Sequence, residues 1–119
     1  QIDRIDRVVD GADLKLKRIK CAAMEGLVEE GREVIDSVEE GPVRDAALIA
    51  GAQKVEHYEI ASYGTLCALG KQLGLTDAVK LLQETLAEEK ATDKKLTLLA
   101  EQEGNPQAAQ EGSARAARA

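Results

Sequence analysis

Apolar residues recur along this chain at intervals of three and four, the repeat of a helix with one buried face. Ile2, Ile5 and Val9 hold that spacing from the start, with no capping residue ahead of them. Residues 1–10 therefore read as the end of a longer helix, and the true N-terminus is expected further upstream. Gly11 to Lys17 reads as a connection. Cys21, Met24, Leu27, Val28, Val34, Ile35 and Val38 then form a stripe broken by Gly26 and Gly31. Each interior glycine costs about 1 kcal/mol relative to alanine. Residues 18–40 are thus expected to form one kinked helix or two short ones, a crossover that ends at Glu40-Gly41-Pro42.

Two long helices follow, over 43–70 and 76–102, separated by a turn from Gly70 to Gly74. A connection this short predicts an antiparallel hairpin. Beyond Gly104-Asn105-Pro106 the composition turns to Ala, Gln, Gly, Ser and Arg. Too little apolar surface is left there to offset chain entropy, so 104–119 is expected to be a disordered tail. Residues 1–103 then make up one partial helical domain. The fold class is all-α. The chain has two tyrosines, no Phe and no Trp, so its core must come from Leu, Ile, Val and Ala, a set that suits helices better than sheets.

Charge narrows the functions. The 119 residues carry a net charge of −6, with both signs interspersed. The most basic cluster, Lys15, Lys17, Arg18 and Lys20, supplies few phosphate contacts, so no nucleic-acid partner is expected. No run of about 18 apolar residues occurs, so no membrane partner is expected either. Cys21 and Cys67 are far apart and sit among small and apolar residues. They read as buried reduced thiols, which fits a cytoplasmic protein.

Candidate chemistry emerges when residues are placed at about 100° intervals around each long helix. In the first, Leu48, Ala52, Val55, Glu59, Ser62 and Leu66 make one stripe, flanked by Ile49, Glu56, Ile60 and Tyr63. Glu59 falls near its middle, and Glu56 about 60° to one side. In the second, Ala78, Leu82, Thr85, Leu86, Glu89, Asp93, Leu96 and Ala100 make the stripe. Glu84 and Glu88 lie toward its sides. Four acids, Glu56, Glu59, Glu89 and Asp93, thus point where burial is expected. An unpaired buried carboxylate costs several kcal/mol or takes up a proton. Cations are the direct remedy, and inward carboxylates at these spacings are how dinuclear sites in helical bundles are built, with oxygen donors that suit iron or manganese.

The plainer alternative is that Lys and Arg neighbours neutralise these acids and no metal binds. His57, the only histidine, lies about 160° from Glu59 and is expected outside the site. Tyr63, one turn after Glu59, is expected to be a core residue whose hydroxyl bonds a site carboxylate.

The segments from Cys21 to Gly31, Arg44 to Ala50, Gln53 to Thr65 and Glu88 to Asp93 resemble the YciE/YciF-type ferritin-like family. The resemblance covers about residues 1–101. It implies a bundle related to rubrerythrins and ferritins, a dinuclear iron or manganese centre, a dimeric assembly and a role in bacterial stress. By motif position it places Glu56 and Glu59 on the third bundle helix, and Glu89 and Asp93 on the fourth. Complete members carry two long helices ahead of the Met24-Glu25-Gly26-Leu27 segment, which supply the other half of the metal site. Here the first is absent and the second survives as Gln1 to Val9, so the chain reads as a fragment, or another chain completes it. The expected function is a dimetal-carboxylate protein of oxidant or iron handling. The alternative is a non-enzymatic, oligomerising helical module without metal. No catalytic residue is assigned.

Overall fold

The computed structural model describes residues 1–118, and it is all-helical. Its elements are α1 (Ile2–Gly11), α2 (Ala22–Ser37), α3 (Pro42–Gln72), α4 (Thr76–Leu99), a π turn (Ala100–Gly104) and α5 (Asn105–Ala116). The chain divides into two compact units. One joins Gln1–Ile19 to Glu56–Thr92; the other joins Lys20–Val55 to the chain from Asp93 onward. Both α3 and α4 contribute to each unit.

In the first unit, helix ends are set by paired backbone bonds. At the end of α3, Leu75 N–H donates to Gly70 O at 2.9 Å and Gly74 N–H to Lys71 O at 3.1 Å. This is a Schellman motif, which needs a left-handed residue, and Gly74 supplies it at φ 71°. Helix α1 ends in the same way, with Asp13 at φ 50°. Leu14 N–H there donates to Val9 O at 2.9 Å and Asp13 N–H to Asp10 O at 3.2 Å. Gly70 does not begin the turn, as its sequence position suggested. It lies inside α3 and is buried, because a Cβ there would stand 2.7 Å from Val79 Cγ2. The glycine marks a close approach of α3 to α4.

The core of this unit is Tyr63, Cys67 and Leu82, with Val8 of α1 and Leu86 packed against it. Helix α1 is held to α4 by Arg4. Its guanidinium forks onto Glu88, Nη1 to Oε2 at 2.8 Å and Nη2 to Oε1 at 2.5 Å. Nε reaches Glu84 at 3.2 Å, and Nη1 also donates to the buried Thr85 Oγ1 at 3.2 Å. The hydrogen bonds from Arg4, and then from Gln1, hold the Glu88 carboxyl at about 2, far below its ordinary 4.5.

In the second unit, α2 runs unbroken through Gly26 and Gly31, where a kink or a division was expected. Cys21 opens it, its sulfur accepting from Met24 N–H at 3.5 Å; this thiol is exposed, against expectation, while Cys67 is buried. Lys54 of α3 meets Glu30 of α2 at 2.6 Å. The larger departure lies at the C-terminus. Of the 104–119 tail expected to be disordered, Asn105–Ala116 is α5, while Ala119 lies outside the described residues. Gly104 does not stop the helix, since it keeps right-handed angles and is buried, its missing Cβ leaving room for Ile49 Cδ1 3.0 Å away. Pro106 falls in the first turn of α5, where an absent N–H is tolerated. Among the described residues no helix is long and apolar enough to cross a membrane.

Two outcomes are expected from this architecture. Gly70→Ala should destabilise the chain by about 2 kcal/mol through overpacking. The double variant with Val79→Ala should be more stable than the two single losses summed, which thermal melts would read. Glu88, with its carboxyl lowered to about 2, stabilises the fold above pH 4.5, and that contribution is lost as pH falls from 4.5 toward 2. Carboxyl NMR titration should place its midpoint near 2 in the native chain and close to 4.5 in Arg4→Gln.

Candidate functional site

The acids of the first unit are presented by consecutive turns of α3 and by α4. Glu56, Glu59 and Tyr63 follow one another at three and four residues along α3, which stacks them on one side of the helix. Glu89 comes from α4 and is only 4% exposed. Such a position is rare for a glutamate unless it is paired.

Its partner is Glu59. The Glu59 carboxyl is raised above the usual carboxylate range, first by burial, then by the charge of Glu89, then by a hydrogen bond to Glu89. Two carboxyl groups can hydrogen-bond only while one of them holds a proton, so the contact favours the protonated form of Glu59. On its other side Glu89 is held by Gln1, whose Nε2 donates to Oε1 at 2.5 Å and to Glu88 Oε2 at 3.3 Å. Tyr63, 9% exposed, stands against the same pair. Burial raises its phenol first, and the charges of Glu59 and Glu89 raise it further. Tyr63 therefore stays protonated at neutral pH, next to both acids.

Beside Glu59 and Tyr63 opens an apolar groove of about 430 Å³. Ile5, Val8 and Val9 of α1 line it together with Leu16, Leu66 and Leu82. Five large apolar side chains of this unit outside the groove's reach or at its rim, Ile2, Leu16, Ile19, Leu69 and Leu73, are more than half exposed.

The remaining candidates are placed as follows. Glu56 is half-buried, with its Oε2 hidden from solvent. Asp93 belongs to the second unit and is half-buried there; Gln53 Nε2 donates to its Oδ1 at 3.3 Å and to Thr97 Oγ1 at 2.8 Å. His57 is exposed, as its angle predicted. Among the described residues, no group of three or more His, Cys, Asp or Glu side chains is gathered closely enough to hold a metal ion. The geometry thus unites Glu59 with Glu89, and the first unit presents a carboxylate pair. Arg4 and Gln1, which hold the neighbouring acids from α1, were not found by sequence reasoning. The one available signal was that Glu84 and Glu88 flank the α4 stripe and so lie within reach of an adjacent helix.

Chemically, the pair offers hard oxygen donors of the kind that suit a cation, and carboxylates take up metal in their deprotonated form. As donors, Glu59 and Glu89 fit one half of a dinuclear carboxylate centre, and the other half must come from further groups.

Comparison with known proteins agrees with this helical reading. A family model described as a domain of unknown function, DUF892, matches residues 1–109. Protein YciF of Escherichia coli strain K12 is 69% identical over 101 residues, 84% of this chain and 61% of YciF. The crystal structure of YciF, described as a stress protein, superposes with a TM-score of 0.80 over 83% of this chain and 63% of that one. YcfI of Rhodopseudomonas palustris, a candidate structural protein, is 44% identical with a TM-score of 0.77, over 81% and 61% of the two chains. The chain therefore spans just over three fifths of the length of these relatives. The resemblance to YciF-type proteins holds over most of its length, and the chain belongs to the DUF892 family.

Proposed function

We propose that this chain is the ligand-bearing half of a ferritin-like, dimetal-carboxylate protein acting in bacterial stress, in the handling of oxidants or iron. The observation that carries the reading is the Glu59–Glu89 pair, two carboxyls brought together from α3 and α4, with the Glu59 carboxyl raised by burial and by the charge of Glu89. Similarity to the stress protein YciF supports the biological setting. Glu56 and Asp93 are the further candidate ligands, one turn before Glu59 and one turn after Glu89 in sequence. A bound iron or manganese pair would supply redox chemistry with peroxide or with further ferrous ions. In that setting Glu59 and Glu89 bind the cation, Gln1 orients Glu89, Tyr63 holds a proton beside the pair, and the apolar side chains of the groove exclude water.

A second reading has its own support. The hydrogen bond between Glu59 and Glu89 favours the protonated form of Glu59 without any cation, and YcfI is a candidate structural protein. On that reading the chain is a helical module that associates through its exposed apolar surface and binds no metal.

Thermal melts separate the two. If the pair is a cation site, anaerobic ferrous or manganous ion stabilises the native chain by linkage, about 2.7 kcal/mol at one hundred times the dissociation constant. Glu59→Gln should remove that gain and leave the metal-free chain equally or more stable. The sign follows from the raised Glu59 carboxyl. Its stabilisation is complete below pH 4.5 and is lost as pH rises through the folded value, so the native chain falls behind the variant toward neutral pH. Melts indifferent to both ions, with a destabilised Glu59→Gln, would leave the module reading.

Association is expected on either reading, as a dimer by the resemblance. Exposed apolar surface of this extent is seldom left in water. Sedimentation at micromolar concentration should show a species larger than one chain, and Leu66→Glu, which puts a charge in the groove, should shift it toward the monomer.

A further inference from the structure

We infer that α5 is an electrostatic clamp closed on the first turn of α3, with Glu111 acting as the cap that α3 lacks in its own sequence. Helix α3 opens at Gly41-Pro42-Val43, and none of the three offers a side-chain oxygen to the free N–H groups of a first turn. Gly41 cannot be exchanged readily for a capping residue, because it sits at φ 147°. Glu111 takes the role from 68 residues away. Its Oε2 accepts from Val43 N–H at 3.4 Å, and its two oxygens lie 3.3 and 3.7 Å from where a Gly41 Cβ would stand. A carboxylate there also meets the positive end of the α3 dipole.

Arg115, one turn further along α5, secures the contact. Its Nη2 lies 2.9 Å from Glu111 Oε1 and 2.8 Å from Glu39 Oε2. The other attachment is of a different kind. Gly104 is buried against Ile49 and Ala46 of α3 at the π turn, where Asn105 N–H donates to Ala100 O. The ion pairs reach solvent through Arg115 and Glu39 and are screened by salt, whereas the apolar joint is not. Helix α5 therefore opens from its far end, about the π turn, while the joint at Gly104 stays closed.

Amide hydrogen exchange on the 119-residue chain, read residue by residue, tests this. Glu111→Ala should speed exchange at Val43 about fivefold, the effect of losing a helix cap. Amides of the α3 segment from Glu59 to Cys67 should be unchanged. Salt at about 1 M, where the screening length falls to about 3 Å, should speed Val43 and the α5 amides in the native chain but not those of residues 100–104. It should have a smaller effect on Val43 in the variant. Arg115→Gln should give an intermediate result. Equal protection of Val43 in native chain and variant at both salt concentrations would overturn the clamp. A uniform rise across all helices would overturn it too, since Glu111 would then act on global stability alone.

Discussion

A carboxylate surrounded by leucine and valine has few ways to exist: it loses its charge, meets a cation or reaches water. Glu89, 4% exposed, has no route to water, and Glu59 stands against it. Burial and the charge of Glu89 raise the Glu59 carboxyl, and the other contacts of the first unit surround this pair. Gln1 and Arg4 reach across from α1 to hold Glu89 and its neighbour Glu88. Tyr63 keeps its phenol proton, first because it is buried and then because the two acids face it. The exposed acids Glu84 and Glu88 are left to make an ordinary ion-pair anchor.

The two units rely on different forces. The first has a small core of Tyr63, Cys67 and Leu82, with Val79 and Thr85 buried alongside. In the second, the only residue buried among those described is Gly104. That unit leans on helix propensity, half-buried apolar contacts and polar links such as Lys54 to Glu30 and Gln53 to Thr97. Surface pairs of this kind contribute little individually, so its helices need covering surface more than the first unit's do.

What was legible in the sequence was short in range. Helix existence follows from spacing within one or two turns, and the inward direction of Glu59 and Glu89 follows from the same 100° rule. Contacts between distant segments left no such trace. Arg4 and Glu88 are 84 residues apart, and nothing local pairs them. Gly70 was read as a turn because glycine ends helices, yet it is used for closeness to Val79. The stretch after Gly104 was read as disordered because its apolar content is low. That argument holds for a segment on its own, and α5 is not on its own, since Glu111 and Arg115 meet residues at the start of α3.

The π turn has a consequence for how this sequence can vary. A π turn holds one residue more than the α-helix it interrupts. Loss of one residue between Ala100 and Gly104 would let α4 run on into α5 as one regular helix with everything beyond kept on its present face. Rewinding the turn as α-helix without a loss would instead rotate everything beyond by about 100°. Glu111 would then face away from Val43, and Gly104 would leave its seat beside Ile49. The extra residue in this five-residue stretch is thus absorbed by the wide turn, which keeps contacts made seven and eleven residues later in place, and relatives that shorten it by one residue can keep the residues at positions 111 and 115.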